Sequence, residues 1–198
     1  MFYDALRNDH GFEVDPFKAL VAPRPIGWIS TLSAEGIANL APYSYFNAMS
    51  QDPHYLVFGS GPQKDSLANI KATGEFAVNL VTYDLREQMN LTSAHVAPEV
   101  DEFELARLSK APCRFIKPPR VAESPVCFEC RLFKVIELPD DEGHVDNHIA
   151  IGRVLGIHID DRYIVNGRVD TAAMRPVARL GYAEYATVEQ AWRMRRPP

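Results

Sequence analysis

No stretch of this chain approaches the ~20 consecutive apolar residues of a membrane-spanning helix, so none is expected. Basic side chains are outnumbered. Twenty-one lysines and arginines face 26 aspartates and glutamates, and the formal net charge of −5 argues against the basic face of a nucleic-acid binder. Cysteine is scarce and odd in number, three in all, which excludes a disulfide framework as the organising principle. Residues 1–10 carry neither a basic start nor an apolar stretch, so no secretory signal is predicted. These absences together predict a cytoplasmic protein with no membrane or nucleic-acid partner.

Other absences narrow the chemistry. There is no GxxxxGK[ST] phosphate loop, no GxGxxG dinucleotide fingerprint and no HExxH zinc motif. The six histidines are scattered. His148 and His158 read as ordinary positions of a late strand, and His95 is the one best placed to line a pocket. Cys127-Phe-Glu-Cys130 has CxxC spacing but sits inside a strand pattern. Residues three apart on a strand face opposite ways, so the thiols diverge and read as structural.

What is present is a globular balance: 198 residues, 46% hydrophobic and 24% charged, enough for one domain with a sizeable core. Short apolar runs between turn signals predict strands over 26–32, 37–41, 54–59, 75–81, 126–138 and 145–159. Asn166-Gly167 marks a tight turn. Helices are few. One is predicted to start at Asp65 or Ser66 and stop at Gly74, and another to start at Thr82 or Asp84 and run through Met89. A third follows the Asp101…Glu104 capping box, and a fourth occupies the tail, 183–195. The fold class is mostly β, a barrel-like sheet with short helices.

Two stretches suggest a ligand. Asn39-Leu-Ala-Pro-Tyr-Ser-Tyr-Phe-Asn-Ala-Met-Ser50 interleaves aromatics with small polar residues, which suits a flat ring with hydrogen-bonding edges. Gly59-Ser-Gly-Pro-Gln-Lys-Asp-Ser66 ends a strand in a Gly/Ser/Pro loop with Lys64 beside a helix start. Free N–H groups, the helix dipole, Lys64 and the Ser60 and Ser66 hydroxyls make that a natural phosphate site. A single strand separates the two stretches.

The order of segments resembles the flavin reductase-like family with an FMN-binding split barrel. Arg24-Pro-Ile-Gly-Trp-Ile-Ser-Thr31, the two stretches above and Gly74-Glu-Phe-Ala-Val-Asn-Leu80 carry the likeness. It continues through Asp101-Glu-Phe-Glu-Leu105, Ser124-Pro-Val-Cys-Phe-Glu-Cys130, Gly167-Arg-Val-Asp170 and Arg175-Pro-Val-Ala-Arg-Leu-Gly-Tyr-Ala-Glu-Tyr185. It covers about 18–186 of a single domain, leaving an N-terminal arm and the tail outside. The resemblance implies a six-stranded antiparallel barrel of Greek-key type that works as a homodimer, with FMN near the dimer interface. By the same resemblance Ser44, Tyr45, Phe46, Asn47, Ala48 and Ser50 lie along the flavin ring. Lys64, Asp65 and Ser66 receive the phosphate, where the residues themselves also offer Ser60, and Arg24, Arg179, Gly181 and Tyr185 approach the cofactor. Where many relatives carry Gly-Gly, this chain has Gly181-Tyr182, which reshapes that side of the pocket.

The implied activity is NAD(P)H-dependent flavin reduction, with NADH or NADPH as a transient reductant and no catalytic side chain, because the cofactor carries the chemistry. Electrons would pass to a small-molecule acceptor or a partner oxidoreductase. A flavoredoxin-like electron carrier and a flavin-dependent oxygenase share the scaffold, as does a binding module that holds haem or nothing.

Overall fold

The computed structural model describes residues 1–62 and 64–197. The chain enters through a single helical turn, α1 (Phe17–Leu20), and the short β1 (Arg24–Pro25). β2 (Gly27–Leu32) and β3 (Ala38–Tyr43) form a hairpin whose turn is closed by Gly36 at φ +88°. After Ser44 and Tyr45 come β4 (Phe46–Gln51) and β5 (His54–Ser60), then α2 (Asp65–Thr73). Gly74, at φ +74°, ends α2 by donating its N–H to the Ile70 carbonyl, the left-handed cap that glycine adopts without strain. β6 (Glu75–Leu80) is followed by a 3₁₀ turn, Tyr83–Leu85, running into α3 (Arg86–Leu91). α4 (Glu102–Leu105) starts at Asp101, whose carboxylate accepts the Phe103 N–H at 2.9 Å.

Two-residue β7 (Lys110–Ala111) and β8 (Arg120–Val121) pair with each other. The long β9 (Val126–Pro139) and β10 (Val145–Ile159) form the largest hairpin. β11 (Ile164–Val165) and β12 (Arg168–Val169) fold back at Asn166 and Gly167, both at positive φ as a primed turn requires. β13 (Val177–Arg179) bridges β1 and β14 (Tyr185–Thr187).

Seven strands make the main antiparallel sheet, in the order β3-β2-β6-β9-β10-β5-β4. The sheet curls until Tyr43 of β3 meets Phe58 of β5, ring centres 4.8 Å apart. Inside the curl pack Ile29, Leu67, Ile70, Phe76, Val78 and Cys130; on the other face Trp28, Leu40, Val81, Phe103 and Val121 form a second core. Neighbours Trp28 and Ile29 thus anchor different cores, as strand alternation dictates. Cys127 and Cys130 likewise part: Cys127 packs on Ala77 and Ile116, and Cys130 joins the inner core. All three thiols are free; the hydrogen bond with Cys113 and then burial push the Cys127 thiol up, and burial pushes that of Cys130 up.

Three expectations need correction. Residues 46–51, read as loop, form an edge strand of the main sheet; they are almost all exposed, so no alternation betrays the strand. The tail is not helical. Tyr185–Thr187 pairs with β13 instead, and residues 188–197 hold no regular element; Trp192 stays 77% exposed, so no apolar face docks to support a helix. The cap of α2 is Lys64, one position earlier than expected, with no side-chain cap.

Ser66 has another engagement. Its hydroxyl donates to Asn39 Oδ1 at 2.7 Å, and Asn39 Nδ2 donates to Glu102 Oε1 at 2.9 Å. The Leu40 N–H donates to Glu102 Oε2 at 3.0 Å. Asn69 reaches Thr31 from the same helix at 3.0 Å. This buried chain ties α2, β2, β3 and α4 together. Burial raises the Glu102 pKa above its ordinary 4.5, so the folded state takes up the proton before the unfolded chain does. For this group stability is greatest below 4.5 and declines as pH rises through the window up to the folded value. Glu102→Ala, which strands two donors, is expected to destabilise by about 2–4 kcal/mol in urea unfolding. Glu102→Gln is expected to remove this group's share of the decline with pH.

Candidate functional site

The register of β5 and β10 brings the two ligand-like stretches together. Tyr45, just before β4, accepts the Gly59 N–H at 2.7 Å, and the next residue of β5, Ser60, lies opposite His148 of β10. A cavity of about 1300 Å3 opens here. One wall is Tyr45, Phe46, Asn47 and Met49; the other end holds Ser60, Gly61, Lys64, Asn147 and His148. The tip of the β9–β10 hairpin (Asp140, His144), the N-terminal arm (Val14, Asp15, Lys18) and Arg179 to Tyr182 complete the rim.

Two features make the aromatic wall receptive. β4 is the last strand of the sheet, so the edge away from β5 carries unpaired backbone donors and acceptors. The Asn47 carboxamide already holds the Ala48 N–H at 2.8 Å. Arg24 lies 5.9 Å from the Tyr45 ring centre and adds positive charge to this wall. At the other end the first N–H groups of α2 have no side-chain cap, and Lys64 is exposed with no ion pair among the described residues. That is the arrangement that favours an anion. A Cβ on Gly61 would lie 2.2 Å from Asn147 Oδ1, so glycine is what lets the hairpin close against this end.

Residues that line this cavity carry buried polar atoms without a hydrogen-bond partner among the described residues. His148 is buried, and its Nδ1 has no hydrogen-bond partner. The Arg24 Nε is likewise unsatisfied, although its Nη1 donates to the Lys18 and Val21 carbonyls and its Nη2 to the Leu180 carbonyl at 2.9 Å. Arg24 therefore clamps the arm and the 180–182 turn over the cavity. Burial raises the Tyr43 phenol above its ordinary value, with the Ser66 and Ser60 hydroxyls pulling the other way. Asp140 at the hairpin tip is held below the usual carboxylate range, first by the His144 backbone N–H.

The matching family model is the flavin reductase like domain, over residues 20–172. The chain belongs to this family. Among relatives of the flavin reductase-like chain, an uncharacterised protein of Aquifex aeolicus is 38% identical over 172 residues, 84% of this chain and 85% of that one. Nitrilotriacetate monooxygenase component B from Bacillus cereus has a similar structure, with a TM-score of 0.89, 28% identity and 98% of each chain covered. So does the 2-nitrobenzoate 2-nitroreductase of Pseudomonas fluorescens, with a TM-score of 0.82, 30% identity, and 91% and 88% covered. The mostly β architecture is thus the family's split barrel.

Of the residues singled out in the sequence, Arg24, Ser44, Tyr45, Phe46, Asn47, Ser60, Lys64 and Arg179 line the cavity of this flavin reductase-like domain. Ala48 and Ser50 lie on β4 outside the lining, Asp65 opens α2, and Ser66 is buried behind it on Asn39. Tyr185 supports Arg179, which stacks 4.5 Å from its ring centre. Gly181 packs against Ala19, where a Cβ would approach the Ala19 Cβ to 2.4 Å. Tyr182 takes φ +52°, a conformation that glycine adopts freely, and its ring lines the cavity. His95 lies exposed and away from the cavity. The lining residues that sequence reasoning missed include His148, Asn147, the hairpin tip and the arm residues Val14, Asp15 and Lys18. Only the pairing with Ser60 reveals His148.

Replacing Arg24 by Met removes a three-way clamp on backbone carbonyls. Urea unfolding of Arg24→Met is expected to show a loss of about 2–4 kcal/mol, and limited proteolysis should cut the 13–23 segment sooner.

Proposed function

We propose that this chain binds FMN in the β4–β5 cavity and acts as an NAD(P)H-dependent flavin reductase. The observation that carries the reading is one continuous cavity with an aromatic, open strand edge at one end and an uncapped, lysine-bearing helix start at the other. Lys64, Ser60 and the first N–H groups of α2 would hold the phosphate; Tyr45, Phe46 and the β4 edge would hold the ring. The unpaired Arg24 Nε and His148 Nδ1 fit a ligand rich in acceptor atoms. When bound, FMN supplies the hydride-accepting chemistry itself.

The chain's own part is binding, orientation and field. Arg24 and Arg179 put positive charge on the walls, which favours an electron-rich ligand over a neutral one. At about 1300 Å3 the cavity exceeds the ~300–1,000 Å3 of a typical single-ligand pocket, leaving room for NADH or NADPH to enter over the ring. The monooxygenase component and the nitroreductase among the similar structures support a redox role. Electrons would leave to a small-molecule acceptor or a partner oxidoreductase. The unit would be a homodimer, supported by large apolar side chains left in water on β4 and β9, Met49 at 61% and Phe133 at 62% exposed.

FMN titration followed by flavin fluorescence is expected to saturate at one per chain. Lys64→Ala should weaken FMN roughly ten- to a hundredfold while changing riboflavin little, since only FMN carries the phosphate. Equal losses would remove Lys64 from the phosphate. Under anaerobic rapid mixing, NADH or NADPH is expected to bleach the bound flavin. If dithionite bleaches it and neither nicotinamide does, the chain is an electron carrier or oxygenase instead. Light scattering with FMN present should return the mass of two chains; one chain's mass would refute the dimer.

A further inference from the structure

A second cavity, of about 550 Å3, lies at the far end of β10. His148 lines the first cavity and His158 the second. Ten residues of strand separate them, on the order of 33 Å at about 3.3 Å per residue. One small ligand cannot reach both within a chain.

Two arginines and two carboxylates, Glu129 and Asp161, line this second space. Arg114 and Arg120 line it, and neither forms an ion pair among the described residues. The Arg120 Nη1 is buried without a hydrogen-bond partner among the described residues. A guanidinium presents five N–H donors, and burying one unmet is costly. The acidic groups nearby are engaged or peripheral. Glu129 of β9 accepts the backbone N–H groups of Arg114, at 3.0 Å, and Phe115, at 2.6 Å, so amides rather than arginines satisfy it. Asp160 is taken by Arg162, whose hydrogen bonds draw its pKa down to about 2. Asp161 lines the cavity beside the 3₁₀ turn it opens. His158 is held below its ordinary value first by burial, then by Arg120, with Asp160 and Asp161 pulling the other way and Arg114 adding to the lowering.

The walls are also apolar. Phe115 and Ile157 line the cavity at 58% and 46% exposure. Gly156 makes room for that ring, since a Cβ there would lie 2.7 Å from Phe115 Cδ2.

We propose that this cavity binds a small organic anion, its carboxylate or phosphate group seated on Arg120 and Arg114 beside His158 and its apolar body against Phe115 and Ile157. The planar guanidinium fork matches a two-oxygen acid group, and among the described residues no carboxylate forms an ion pair with either arginine. The site is independent of the flavin reading.

The two histidines give each cavity its own reporter in proton NMR of the full chain. Phenyl phosphate is expected to shift the His158 ring resonances saturably, with one site per chain, and to raise the pKa read from them. Arg120→Gln should weaken this binding by about tenfold or more. Arg114→Gln changes an exposed side chain and should leave the fold intact, and it should weaken binding several-fold. Lys64→Ala should leave it unchanged. Inorganic phosphate should bind more weakly than phenyl phosphate, and benzoate against phenyl phosphate decides which acid group the site takes. The proposal is overturned by a His158 shift that stays linear with concentration, by equal binding in wild type and both arginine variants, or by a response confined to His148.

Discussion

The rest of the structure depends on one buried carboxylate. Glu102 accepts the Leu40 N–H and the Asn39 amide, and Asn39 in turn accepts the Ser66 hydroxyl. In a low-dielectric interior such a chain is worth having only when every member is satisfied, so it permits essentially one arrangement of α2, β3 and α4. That arrangement decides where α2 begins. With Ser66 turned inward, Lys64 is left as the cap, the first N–H groups of the helix have no side-chain cap, and Lys64 lines the cavity. A structural bond behind the sheet thereby creates a polar end in front of it.

The other end of the cavity follows from sheet topology. β4 closes the strand order, and nothing in the main sheet pairs with its outer edge. An open edge usually invites pairing with another chain. Here the arm, the 180–182 turn and the hairpin tip gather around it, with Arg24 holding the first two by their carbonyls. The edge becomes the wall of a cavity instead of a surface. The proposed FMN site would need rigid positioning more than reactive side chains, and Arg24 and the Glu102 chain would supply it.

The two cavities differ in how charge is handled. In the first, cations share the walls with Asp15, Asp140 and Asp146. In the second, Glu129 is spent on backbone amides and Asp161 also lines the wall, while neither arginine forms an ion pair among the described residues. Both sit at the ends of β10, so a single long strand sets their separation.

Much of this was legible in the residues. The β9 and β10 runs, the Gly74 stop and the Asn166-Gly167 turn appear where local chemistry puts them, because alternation, a left-handed cap and a primed turn are properties of neighbours in sequence. The divergence of Cys127 and Cys130 needed only the period of a strand. The aromatic stretch and Lys64 could be named as one site because only β5 separates them. Other features waited for the tertiary structure. Edge strand β4 shows no alternation, since neither face is buried, and the tail chose a strand partner over its own helical preference. His148 entered the site through its register against Ser60, and Arg114, Arg120 and His158 met from three separate segments. Register and long-range packing are decided by which partner offers the better-satisfied interface, and that partner is remote in the chain.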